Sequence, residues 1–252
     1  MSNAKCQIEN KLTELIDKLS STITPREIVE LAKREKAVGI AYTYNEPAIF
    51  AEFAADTMKL ARKAGLKNVF VSNGFASVET FAYLKEYLDA INIDLKSFRG
   101  EFYRKICKAK IEPVLENIPR YFQAGIETEV TTLLIPGHND SREELGEIAR
   151  FLGKISPELP WHISAFYPAY KLLDAPPTPV GKLIEAYEIG KAAGLKYIYV
   201  GNVWDPQHSS TFCPKCRTLL ISRAGYEVKI ENLDQQSGRC RKCREKIYGI
   251  WS

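Results

Sequence analysis

The chain has 252 residues, 45% of them apolar and 26% charged, with a formal net charge of +4. That length suits one large α/β domain with room for a small added module, and the composition is that of an ordinary globular protein. No apolar run approaches the roughly 20 residues of a membrane-spanning helix, and no secretory signal opens the chain. A cytoplasmic location is therefore the expectation, and the mild charge does not imply nucleic acid.

Met1-Ser2-Asn3-Ala4 looks like start-codon and vector sequence, which gives the expectation that the natural chain was cut near Lys5. Leu12, Leu15, Ile16 and Leu19 share one helical face, so residues 9–20 are predicted as an amphipathic helix within an N-terminal segment, 1–22. Thr24-Pro25-Arg26-Glu27 is a capping box with proline at the first helical position, and the helix it starts ends before Gly39. Short apolar runs rich in β-formers predict buried strands at 38–43, 68–72, 90–94, 127–135, 161–166 and 197–200. Helical patterns at 48–63, 78–88, 112–123, 141–151 and 180–193 fall between them. Strands alternating with helices argue for a parallel sheet with right-handed crossovers, either doubly wound or a barrel. Polar residues gather just past the strand ends, at Tyr44-Asn45-Glu46, Asn73-Gly74, Asp94-Leu95-Lys96 and Pro136 to Asp140. That edge of such a sheet is where active sites form.

The alternation stops over the turn-like stretch from Gly201 to Phe212, so a boundary is placed there: 23–205 for the α/β domain, 206–252 for a small module. Cys213-Pro-Lys-Cys216 and Cys240-Arg-Lys-Cys243 are two C-x-x-C knuckles 23 residues apart, with a hairpin-like alternation between them at 219–221 and 226–230. Four thiolates complete a tetrahedron, which predicts a zinc ribbon with a closed structural Zn2+ site; redox-active or disulfide pairs are the competing reading. Residues 213–252 carry nine basic and four acidic side chains. That excess either attracts an anionic partner or offsets the charge of a zinc tetrathiolate. Cys107 is expected to be a buried structural residue and His162 a core residue. His138 is expected in a turn, and His208 in the linker, where ligation is available but not required.

With Tyr42-Thr-Tyr-Asn-Glu-Pro47, Val71-Ser-Asn-Gly74, Asn92-Ile-Asp-Leu-Lys96 and Leu134-Ile-Pro-Gly-His-Asn-Asp140 in this order, the chain resembles radical SAM enzymes. Within them it is similar to the AmmeMemoRadiSam group, relatives of pyruvate formate-lyase activating enzyme. Trp161-His-Ile-Ser-Ala-Phe-Tyr-Pro168, Tyr199-Val-Gly-Asn202 and the C-terminal cysteines fit that group too. The resemblance covers about residues 20 to 252 and implies a partial (β/α) barrel of the radical SAM type followed by the zinc ribbon. It implies S-adenosylmethionine held by Asn45 and Glu46 at its ammonium, and by Asp94 and Lys96 at its ribose and carboxylate. Ser72 and Asn73 lie at the matching strand end, and Ile135 to Gly137 match a segment near adenine. Without the resemblance, Asp94 and Lys96 read first as a rim ion pair.

One departure stands against the resemblance. The family's Cys-x-x-x-Cys-x-x-Cys, which holds a [4Fe–4S] cluster, is missing, and Cys6-Gln7 resembles only its end. One cysteine cannot hold a cluster that needs about three thiolates. The expectation is therefore a truncated or cluster-less form of an enzyme that abstracts hydrogen from a substrate, with a protein partner in view. The tag-like start favours truncation. The alternative is a non-catalytic zinc-ribbon adaptor that binds a protein partner through its rim and basic module.

Overall fold

A computed structural model describes residues 23–251, so Cys6 and the predicted helix at 9–20 lie outside the described residues. Helix α1 (Pro25–Arg34) starts on the predicted capping box: Glu27 N donates to Thr24 Oγ1 at 3.3 Å, and Thr24 N to Glu27 Oε2 at 2.8 Å. Strand β1 (Gly39–Tyr42) leads through a 3-10 turn (Pro47–Phe50) into α2 (Ala51–Lys63). Then follow β2 (Lys67–Ser72), α3 (Val78–Leu84), β3 (Ala90–Asp94) and a short helical stretch over 100–107. The series continues with α4 (Glu112–Gln123), β4 (Glu127–Leu134), α5 (Arg142–Ile155), β5 (Trp161–Ala165), α6 (Val180–Ala192) and β6 (Ile198–Gly201).

The six strands pair in parallel in sequential order, β1 to β6. The sequence leaves open whether the sheet is doubly wound or part of a barrel. A doubly wound sheet reverses its strand order part-way. Sequential order with right-handed crossovers instead puts every helix on one face and makes the sheet the wall of a partial (β/α) barrel. The side chains follow from the period of two. Ile91, Ile93, Val130, Trp161, Ile163 and Val200 are buried under the helices. Their neighbours Asn92, Glu129, His162 and Tyr199 are half-buried on the opposite, luminal face. His162 is therefore no core residue, as its apolar run had implied: its Nε2 lies 2.9 Å from Glu129 Oε2 and its ring stacks on Tyr199 with centroids 5.1 Å apart. No helix among the described residues is long and apolar enough to cross a membrane.

After β6 a single helical turn (Pro206–Ser209) leads into an antiparallel sheet of β7 (Thr211–Phe212), β8 (Leu219–Ala224) and β9 (Glu227–Ile230), then the pair β10 (Leu233–Asp234) and β11 (Arg239–Cys240). Gly225, at φ +60°, makes the tight β8–β9 turn that the alternation predicts. Leu220, Ile221, Leu233 and Ile247 form this module's small core around Cys213 and Cys240, and Tyr197 of the barrel packs into it. Arg223 reaches back beneath β6, its Nη1 donating to Thr211 Oγ1 at 2.7 Å and Ser209 O at 3.2 Å with the guanidinium 5.4 Å from the Tyr199 ring.

Candidate functional site

At the carboxyl ends of β1 to β3 a cavity of about 720 Å³ is lined by Glu46, Asn73, Phe75, Lys96, Tyr103 and Cys107, among others. Glu46, just past β1, caps the 3-10 turn, its Oε1 accepting from Ala48 N at 3.1 Å. The same oxygen accepts from Ser72 Oγ at 2.7 Å, and Oε2 from Asn73 N at 2.7 Å. One carboxylate thus joins the ends of β1 and β2. A carboxylate has about four acceptor sites, so capacity remains on the cavity side. The loop after β2 is set by Gly74, where an added Cβ would meet Ile93 Cγ2 at 2.7 Å, and by Asn117, whose Nδ2 donates to Gly74 O and Ala76 O at 2.8 Å each.

Lys96 and Asp94 form an ion pair, Nζ to Oδ2 at 2.7 Å, with side chains 39% and 34% exposed, so the lysine reaches the cavity at little cost to solvation. Of the six predicted site residues, Glu46, Asn73 and Lys96 face this cavity together. Ser72 is buried under Glu46, Asp94 is tied to Lys96, and Asn45 is exposed at the end of the edge strand. Ile135 to Gly137 take no part in the lining.

Sequence reasoning missed the frame that holds Lys96. Asn139, 1% exposed, donates through Nδ2 to Lys96 O at 2.6 Å and Leu133 O at 2.8 Å, while its Oδ1 accepts from Ile135 N at 2.7 Å. Lys96 N donates to the Tyr103 hydroxyl at 3.1 Å. Glu144, 3% exposed, accepts from Ser97 Oγ at 2.5 Å and Phe98 N at 2.8 Å. Cys107 is half-buried and lines the cavity, rather than being an inert core residue; burial pushes its thiol up by more than the nearby Lys96 lowers it. The available signal was the i, i+4 spacing of Tyr103 and Cys107, which puts both on one helical face.

The second predicted site is assembled as well. The sulfurs of Cys213, Cys216, Cys240 and Cys243 all lie within 4.8 Å of one another, with Cys213–Cys243 at 3.5 Å and Cys216–Cys240 at 3.7 Å. Four thiolates at about 2.3 Å from a tetrahedral ion sit about 3.8 Å apart, so the group fits a metal. The disulfide reading fails, because these cysteines are unpaired and their separations far exceed about 2.05 Å. Hydrogen bonding with Thr218 holds the Cys216 thiol down at about 6, whereas burial pushes the Cys213 thiol up and the Cys243 thiol is raised too, so the metal's own charge would have to draw off those protons. Zinc and tetrahedral iron suit such a set equally. His208 stands apart from it, its Nδ1 2.7 Å from Asp205 Oδ2.

A sequentially ordered parallel sheet with polar loops at its carboxyl edge defines an enzyme-type partial barrel, and a family model sharpens that. The Radical SAM superfamily matches residues 6–152, and the chain belongs to it. An uncharacterized protein of Methanocaldococcus jannaschii is 44% identical over 226 residues, covering 89% of this chain and 67% of its own length. The isethionate sulfite-lyase activating enzyme of Oleidesulfovibrio alaskensis is 30% identical over 130 residues, 49% of this chain and 42% of that enzyme. Among solved structures, a domain of a pyruvate-formate lyase-activating enzyme from Bacteroides vulgatus shares the fold, with a TM-score of 0.55 at 23% identity over 65% of this chain and 99% of that one. The family implies S-adenosylmethionine and an iron–sulfur cluster. Beyond the four-cysteine group this sequence has only Cys6 and Cys107, so its residues do not fit a [4Fe–4S] cluster, which needs about three thiolates in one place.

Proposed function

We propose that the rim cavity binds S-adenosylmethionine and that the chain is the partial barrel (23–205) and zinc ribbon (206–252) of a cytoplasmic radical SAM enzyme of the activating-enzyme kind, acting on a protein substrate. The observation that carries this reading is that Glu46, Asn73 and Lys96 face one cavity. The methionyl group of S-adenosylmethionine is a zwitterion, so its site needs an anion and a cation at short range. Lys96 is assigned to the carboxylate, and Glu46, with Asn45, to the ammonium. Asp94 holds the Lys96 amine at 2.7 Å and is assigned to the ribose. Ser72 and Asn73 hold the Glu46 carboxylate in register. When bound, S-adenosylmethionine supplies the sulfonium that the superfamily's reductive chemistry consumes. No step through a cluster is assigned to the residues present, which bind and orient only.

Calorimetric titration with S-adenosylmethionine tests the assignment. Lys96→Ala and Asp94→Ala are each expected to lower affinity at least ten-fold, whereas unchanged affinity in both would refute the site. For the ribbon, metal analysis of the purified chain is expected to give about one zinc and essentially no iron. Stoichiometric iron with sulfide would overturn that assignment.

A further inference from the structure

The opposite end of the sheet carries a larger cavity, about 900 Å³, that the chemistry above does not use. Val38, Gly65, Lys67, Asp89, Pro160 and Tyr197 line its mouth, and each stands at or just before the first residues of a strand. It rises along the luminal face past Glu127, Glu129 and His162, and the C-terminal module closes it from below through Arg223, Tyr248 and Trp251. Its volume lies in the range of pockets that take small molecules, about 300–1,000 Å³.

Most of the charges on its walls are matched; the exceptions are Glu127 and Arg223, whose guanidinium is held by Thr211 Oγ1 and Ser209 O rather than by a carboxylate. Lys67 Nζ lies 3.8 Å from Asp89 Oδ1. Glu129 has His162 at 2.9 Å, and burial, which would raise its carboxyl, is outweighed by that bond with help from Asn92 and Arg223, so the group stays low. Glu127 sits two residues before Glu129 on the same luminal face, about 7 Å away along the strand. Among the described residues no lysine, arginine or histidine pairs with it; its neighbour is the Tyr248 hydroxyl. Burial, then the nearby Glu129 charge, pushes its carboxyl up to about 7. Glu127 is thus a half-buried acid with no cation close enough to pair with it, although Arg223 lines the same cavity, and the aromatic walls leave room for a ligand that brings one.

The geometry points to this cavity as a binding site for a small organic cation, a primary ammonium on a short apolar or aromatic body, with the ammonium at Glu127 and the body against Tyr248, Trp251 and Ala90. The site is separate from the rim and does not depend on what binds there.

Titration calorimetry on the full, metal-loaded chain at pH 8 tests it with three probes of one shape: phenethylamine, neutral 2-phenylethanol and anionic 3-phenylpropionate. Phenethylamine is expected to bind one per chain and at least ten-fold tighter than either of the others. Glu127→Gln should remove that preference while leaving the weak binding of 2-phenylethanol in place. Ala90→Leu, which fills the cavity from the neighbouring strand and keeps both carboxylates, should block all three, with circular dichroism checking that each variant is folded. Phenethylamine binding no tighter than 2-phenylethanol would overturn the proposal, as would full affinity in either folded variant.

Discussion

The two ends of one parallel sheet hold cavities of similar size, about 720 Å³ at the carboxyl rim and about 900 Å³ at the amino end, built on opposite plans. At the rim, each charge is anchored by neighbouring elements: Glu46 by Ser72 and Asn73 at the end of β2, Lys96 by Asp94 and by side chains from other segments that grip its backbone. At the amino end, charges project from alternate strand positions and depend on a separate module for their surroundings, and one of them, Glu127, has no counter-charge among the described residues. Rigidity of the first kind suits a site that orients its ligand. An unbalanced charge of the second kind marks a place where a ligand changes the energetics most.

The contrast breaks most visibly if the C-terminal module is released. Its core is a handful of aliphatic side chains around four cysteines. Apparent metal-binding energies of about 10–16 kcal/mol in small zinc modules far exceed what such a core supplies. Chelation, or Cys213→Ser with Cys240→Ser, should abolish hydrogen-exchange protection over 211–248 while β2 to β5 stay protected. Equal protection with and without metal would show a module that stands on its own core. The next largest effect belongs to Asn139. Asn139→Ala strands the Ile135 amide and two carbonyls in a buried place, at about 3 kcal/mol. That should lower the melting temperature by about 6–12 °C and weaken S-adenosylmethionine binding through Lys96.

Much of the rim is legible in sequence because its chemistry is contiguous. Asn45-Glu46-Pro47 and Asp94-Leu95-Lys96 each follow a strand that apolar β-formers announce, and strands β3 and β4 begin at the predicted residues. The frame around them is not legible, since it crosses elements. Ser141 Oγ accepts from the Glu144 amide at 3.3 Å, as at a capped helix start, yet the Glu144 carboxylate turns away to Ser97 and Phe98. The amino-end cavity is hidden for another reason. His162 lies in an apolar run that reads as a strand buried on both faces, and only closure of the sheet toward a barrel makes alternate residues luminal and polar. Arg223 joins them from a different sheet, which no local pattern announces.

A smaller effect separates binding from stability at the rim. The Lys96–Asp94 pair is more than a third exposed on average and contributes at most about 0.5 kcal/mol to folding. Lys96→Ala should therefore leave urea unfolding almost unchanged while its ligand affinity falls, the reverse of Asn139→Ala, where both change. A large loss of stability in Lys96→Ala would make the lysine part of the frame rather than its cargo.

The smallest effect distinguishes the amino end by its sign. Glu127 is raised from an ordinary 4.5 to about 7, so between those values the folded protein holds a proton that the unfolded chain has released. Stability from this group is fully present below about pH 4.5 and is lost as pH rises through 7. Glu127→Gln stays neutral throughout, so it should gain stability relative to the parent chain as pH rises from 5 to 8 and level off above. Glu129 titrates in the opposite sense, its low carboxyl losing stability only on acidification. The difference between the two chains, measured by urea unfolding at each pH, therefore follows Glu127 and the charge it shares with Glu129. A flat difference would mean that Glu127 is solvated like a surface acid, and the two ends of the sheet would then differ in shape but not in electrostatics.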